Sequence, residues 1–205
     1  MNRLLAILLL TLSCAFSVAL AGPLGTPLAH DGMFARASVG LGYSSFENAD
    51  GEESLTADGL GIKLHGKLGA YVMPNLALHA NLGFVTYSDF REARYGLSMY
   101  VDHDFYVLSS VYLGVGATYY VPEWNNVFIS GSLGLTGYNL NCHKYSGNTG
   151  LSALSFDIEV GKDWWVGEHT AIGVSLAYNS HEYWSDDDGV FRSSSVMLLF
   201  SVTLN

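Results

Sequence analysis

Positive charge is what this chain has least of. Nine Lys and Arg stand against nineteen Asp and Glu in 205 residues, a formal net charge of −10, and charged residues of both signs make up only 14%. An average soluble domain carries roughly 25%, so a freely wetted surface of this size is undersupplied. The shortage of cations also excludes a phosphate backbone, and hence nucleic acid, as a partner. Cysteine is almost missing. Cys14 sits in an N-terminal apolar run and Cys142 stands alone, which excludes an internal disulfide framework. Beyond residue 21 no apolar run reads as a membrane helix. The stretch from Trp124 to Cys142 carries no formal charge, but it contains four Asn and its apolar residues alternate with small polar ones. What the chain does have is 23 Gly, 13 Tyr and 10 Phe, with 49% hydrophobic residues. That richness excludes a disordered acidic chain.

Residues 1–21 read as an export signal. Arg3 makes a positive start, Leu4 to Leu12 an apolar core, and Ala19-Leu20-Ala21 a small-x-small cleavage site, which places the cut after Ala21. A retained membrane helix, or a lipoprotein signal at Ser13-Cys14, fits less well. The apolar run is short, and Thr11 stands where lipoprotein signals take Leu. Residues 22–33 follow as a lead-in, and residues 34–205 form the body.

The body alternates with period two. Ala35, Ala37, Val39, Leu41 and Tyr43 point one way, Arg36, Ser38, Gly40 and Gly42 the other. The pattern recurs over residues 60–70, 76–84, 107–119, 127–136, 154–161, 172–179 and 195–204. These are eight segments of about ten residues, the length a tilted strand needs to cross a bilayer. Connections alternate between short (Val72 to Asn75, Pro122 to Asn126, Lys162 to Thr170) and longer polar ones (Glu47 to Gly59, Ser88 to Tyr100, Asn141 to Gly150, Ser180 to Ser193). That layout predicts an all-β, eight-stranded antiparallel up-and-down barrel in the outer membrane, with short periplasmic turns and longer extracellular loops.

A soluble lipocalin-like barrel would alternate in the same way, with its apolar face inside. Three features favour lipid outside. The polar face is mostly Gly and Ser, cations are too few for a wetted exterior, and aromatics gather at segment ends. Tyr71, Trp124, Trp164 and Trp165 fall by the short turns; Tyr43, Phe84, Tyr87, Tyr138, Tyr178 and Trp184 fall by the long loops. Two aromatic girdles are expected at two membrane interfaces.

The chain resembles the small outer-membrane β-barrel proteins of Gram-negative bacteria, the OmpA-like and OmpX-like eight-stranded group. The resemblance is carried by Pro74-Asn75-Leu76-Ala77-Leu78, by Gly114-Val115-Gly116-Ala117-Thr118-Tyr119-Tyr120, and by Gly161-Lys162-Asp163-Trp164-Trp165-Val166 followed by Ile172-Gly173-Val174. It implies an integral outer-membrane location. It also implies outer-membrane lipid, lipopolysaccharide and the barrel-insertion machinery as partners, beside an extracellular ligand it does not name. The group includes structural, adhesive, transport and enzymatic members, so the resemblance speaks to architecture first. One departure is the end, Thr203-Leu204-Asn205, where such barrels commonly carry an aromatic.

The inward charges are the candidate site. Arg36, Lys63 and Lys67 lie on the first two segments, Asp157 and Glu159 on the sixth. In a cylinder of eight strands the second and sixth are opposed, and buried charges must pair. A lumenal ion-pair network is therefore expected, with His65 and His79 as members. A plugged, rigid interior is the main reading and a gated ion path the alternative. No cofactor or metal is expected: Asp186-Asp187-Asp188-Gly189 lacks the spacing of a calcium loop, and His103 beside Asp102 and Asp104, or His143 beside Cys142, makes no tetrahedral set. Ser180-His181-Glu182 is the only compact catalytic candidate, and strand alternation sends His181 to the opposite face from its neighbours. The chain is accordingly read as a structural or surface-interaction protein rather than an enzyme.

Overall fold

The computed structural model describes residues 28–48, 56–91, 94–95, 99–100, 107–141, 146–185 and 189–205. The export signal, residues 22–27 of the lead-in, Cys142, His143, Asp102 to Asp104 and the Asp186 to Asp188 run lie outside the described residues. Eight long strands follow the alternating segments: β1 (Met33–Asn48), β2 (Thr56–Met73), β3 (Leu76–Arg91), β6 (Val107–Val121), β7 (Val127–Asn141), β8 (Ser146–Trp165), β9 (Thr170–Ser185) and β10 (Gly189–Leu204). A ribbon of two short strands, β4 (Arg94–Tyr95) and β5 (Met99–Tyr100), sits in the connection between β3 and β6.

The long strands pair antiparallel, each with its neighbour in sequence, and β1 closes on β10. Tracing paired residues around the cylinder measures the stagger. From Arg36 the ladder passes through Lys67, Asn81, Gly114, Gly134, Ser155, His181 and Ser193, and returns to β1 at Phe46, ten residues further along. A stagger of that size on eight strands goes with a tilt of roughly 40° and an interior just wide enough for side chains to fill.

The strands are longer than the alternating segments, at 15 to 20 residues. Backbone pairing continues beyond the apolar alternation, because ladder hydrogen bonds need no apolar side chains. The residues from Lys162 to Trp165, read above as part of a turn, thus finish β8. At the short-turn end, Asn75, Asn125 and Asn126 take left-handed backbone (φ 66°, 50° and 62°). Asn tolerates this because its short side chain can bond locally.

The described outward rows are mostly apolar and exposed. Leu41, Leu60, Val115, Leu133, Leu176 and Phe200 are all more than half exposed, while Arg36, Lys63, Lys67, Asp157 and Glu159 on the inner face are buried. The ordinary arrangement of a water-soluble domain is inverted.

Glycines decide how close the inner face can pack. A Cβ on Gly40 would collide with the Leu198 carbonyl and the Leu199 side chain; one on Gly42 would meet the Val196 carbonyl and Met197. Both glycines let β10 lay its two inward apolar side chains across β1. Gly40→Val should therefore cost about 3 kcal/mol, the upper part of the overpacking range, read as a drop in the urea midpoint of the folded protein in micelles.

Candidate functional site

The lumen is a ladder of ion pairs strung between opposite walls. On β2, Lys63 and Lys67 lie four residues apart and so on one face; on β8 the even spacings of Asp157, Glu159 and Asp163 likewise put all three on one face. Lys63 Nζ lies 2.6 Å from Asp157 Oδ2 and donates to Asn179 Oδ1 at 3.0 Å. Lys67 Nζ lies 2.7 Å from Glu159 Oε2 and donates to Ser130 Oγ at 2.8 Å. Arg36, on β1, grips Asp163 with both ends of its guanidinium, at 2.8 and 3.2 Å, and also donates to Ser201 Oγ at 2.7 Å. Its Nε stands 3.9 Å from Glu159 and its face lies 4.0 Å from the centre of the Phe128 ring. Glu159 accepts a further bond from Ser175, and Asp163 one from Tyr120. Three cations thus meet three carboxylates, and the charge of the network cancels. Each carboxylate also receives hydrogen bonds from neutral groups, the condition under which buried charge is tolerable.

The fit around Arg36 depends on Gly173. A Cβ there would strike Asp163 Oδ1 and crowd the guanidinium.

Apolar layers stand on both sides of the ladder. Toward the short turns lie Phe34, Ala77, Tyr120 and Phe128, with Tyr71 against them. Toward the long loops lie Val85, Tyr87, Ala177, Met197 and Leu199, with Tyr138 against them. The ion pairs are enclosed in a low-dielectric sleeve.

The short-turn mouth is crossed by a strap made of residues 28–32. Leu28 N–H donates to the Glu168 carbonyl, Asn75 N–H to the His30 carbonyl, and Tyr71 N–H to that of Gly32, at 2.7, 3.1 and 2.9 Å. The His30 ring stacks 3.6 Å from Tyr120 and 5.1 Å from Trp165, within 3.2 Å of Asn126 Oδ1. Tyr71 hydroxyl donates to Asn205. One short segment therefore touches all three short turns.

Neither a family model nor a curated protein matches this sequence. Solved structures do. Neisserial surface protein A superposes with a TM-score of 0.53 at 13% identity, covering 84% of this chain and 96% of that one. The chain has the fold of the small eight-stranded outer-membrane barrels. Two other matches have TM-scores below 0.5 and add nothing to this assignment. They are the attachment invasion locus protein Ail of Yersinia pestis, in complex with the heparin analogue sucrose octasulfate (0.47, 16% identity, 84% and 99% covered), and the outer membrane protease OmpT of Escherichia coli (0.43, 9% identity, 89% and 98% covered).

In this outer-membrane-type barrel, the structure brings together Arg36, Lys63, Lys67, Asp157 and Glu159. His79 joins indirectly: its ring bonds to Asn81 and Thr118, and Thr118 donates to Ser130, which Lys67 also holds. His65 is buried between the two lysines, but its ring nitrogens find no hydrogen-bond partner among the described residues. Asp163 was missed because the sequence assigned it to a turn. Its parity with Asp157 and Glu159 was the available signal.

Parity also corrects the aromatic girdles. Trp124, Trp164, Tyr43 and Tyr178 are outward and at least two-fifths exposed, and Phe84 is outward and partly covered. Tyr71, Tyr138 and Trp165 are not on the outer surface: Tyr71 and Trp165 stand against His30, and Tyr138 packs into the upper apolar layer. Tyr87 is likewise buried inside. Each occupies the inward phase of its strand, and closeness to a strand end does not choose a face. Trp184 falls outside the described side chains. The tripeptide Ser180-His181-Glu182 does not converge. His181 points inward to Thr136 at 3.1 Å, while Glu182 pairs outside with Arg192 at 3.0 Å. Among the described residues no three potential ligands form a metal-binding group.

Two outcomes follow from this geometry. Glu159→Ala leaves Lys67 without its carboxylate and should cost about 3–5 kcal/mol, whereas pairing Glu159→Leu with Lys67→Met should recover much of the loss, both read by urea unfolding in micelles. Burial holds the His30 ring below its ordinary pKa, outweighing its hydrogen bonds to Asn126 and Asn205. The undocked ring therefore takes a proton first as pH falls through about 6.5, and docking is firm above that pH and weakens below it. Hydrogen exchange should report lower protection at the Tyr71 and Asn75 amides at pH 5 than at pH 7.5, and His30→Phe should remove the difference.

Proposed function

We propose that this protein is an integral outer-membrane barrel whose lumen is a rigid, charge-neutral filling, and whose interactions are made by the long connections at one end. The observation that carries the reading is the inverted wall: bare Leu, Val, Ile and Phe outside, buried ion pairs inside. Water would penalise such an exterior at about 25 cal/mol per Å² of apolar surface, and hydrocarbon would not. Outward Trp124 and Trp164 by the short turns and Tyr43 and Tyr178 nearer the loops sit where two headgroup regions would lie. Export by the signal at residues 1–21, insertion by the barrel-assembly machinery, and an outer surface bathed in phospholipid and lipopolysaccharide belong to the same reading.

The filled interior supports a structural or surface-interaction task. Solute passage would have to cross the apolar layer of Met197, Leu199, Val85 and Tyr87 and the aromatic layer of Phe34, Tyr120 and Phe128. The narrow-channel alternative draws only on the polar groups between them.

Fractionation is the direct test. The protein should partition with the outer-membrane envelope and migrate faster on gels before boiling than after. Recovery in the soluble periplasmic fraction would end this reading. Purified protein in planar bilayers should give no steady conductance, and a reproducible single-channel step would favour the channel. Leu133→Arg, on the bare outer wall, should destabilise the lipid-folded form by about 2–4 kcal/mol.

A further inference from the structure

One part of the outer wall is not smooth. A shallow, open concavity of about 900 Å³ spans β2, β3, β6, β7 and β8 on the outside of the barrel. Its floor is made by small residues that pair across the ladder, Ala117 with Gly131. Its walls are larger: Leu78 beside Ala117, Ile158 beside Gly131, and Val115 and Leu133 one step toward the loops. A Cβ on Gly131 would meet nothing within 4 Å, so no part of the barrel fills this space.

A cation stands in line with the hollow. Lys162 is on the same outward row of β8 as Ile158, four residues nearer the short turns, about 13 Å along the strand at ~3.3 Å per residue. Its ammonium lies 5.9 Å from the centre of the Trp164 ring, which marks that rim. Lys63, Lys67 and Arg36 are spent inside the lumen, and Arg192 is at the opposite end beside Glu182. Among the described residues, Lys162 is thus the one outward cation at the short-turn rim of an otherwise acidic protein. The stem of a lysine reaching from the apolar wall toward the rim is the ordinary way such a side chain meets a headgroup.

We propose that this hollow and Lys162 together form a binding site for one glycerophospholipid of the periplasmic leaflet, with its phosphate at Lys162 beside Trp164 and an acyl chain laid over Ala117 and Gly131. The inference rests on the membrane reading above. The charge at the rim and the apolar hollow are separated by the distance between a phosphate and the middle of its chain. Neither half needs a polar partner that the other does not supply.

Native mass spectrometry of the detergent-folded protein, loaded with palmitoyl-oleoyl-phosphatidylglycerol, tests the site. Wild type should keep one lipid under activation that strips the rest. Gly131→Leu, which fills open space and leaves the barrel wall intact, should lose it. Lys162→Gln should weaken retention and Lys162→Arg restore it, while Val202→Leu, on β10 across the barrel, should change nothing. Wild type that folds in micelles but holds no lipid, or Gly131→Leu that holds it as well as wild type, overturns the site alone. A chain that enters neither micelles nor vesicles overturns the membrane reading and the site with it.

Discussion

A sheet whose outer face is hydrocarbon cannot leave an edge. Each unpaired N–H or C=O in an apolar surrounding costs several kcal/mol, so the eight strands must return on themselves, and β10 must find β1. Once the cylinder closes at eight strands and a stagger of ten residues, the interior is fixed in width. Everything placed there must either fill the space or be omitted. The inward glycines of β1, β2 and β6 and the large Tyr87, Tyr112 and Phe128 are two halves of that one requirement.

The ion pairs belong to the same constraint. A lumen too narrow for bulk water makes any unpaired charge expensive. The three cations come from β1 and β2 and the three carboxylates from β8, across the axis, so the pairs tie opposite walls rather than neighbours. Such an interior resists both collapse and opening. The apolar layers above and below exclude water and strengthen each pair, and the strap at Leu28 to Gly32 closes the short-turn mouth.

The outer wall is not uniform in relief. Here the small residues Ala117 and Gly131 sit among Leu78, Leu133 and Ile158, and the difference in side-chain size makes a hollow in the wall. Lys162, beside Trp164, gives that relief a charge at its short-turn end.

The period-two alternation by itself determined the strand count, the order of short and long connections, and the inward phase of Arg36, Lys63, Lys67, Asp157 and Glu159. Successive side chains on a strand must face opposite ways, and that rule needs no coordinates. It also contained the inward phase of Tyr71, Tyr138, Trp165 and Asp163, which position near a strand end obscured. Only the closed tertiary structure decided which cation meets which carboxylate, since pairing across a lumen depends on stagger and tilt. It alone decided that His79 bonds to Asn81 and Thr118, that residues 28–32 fold under the mouth, and that a hollow opens over Gly131. Those are contacts between residues far apart in the chain, and only the radius and register of the finished cylinder bring them within reach.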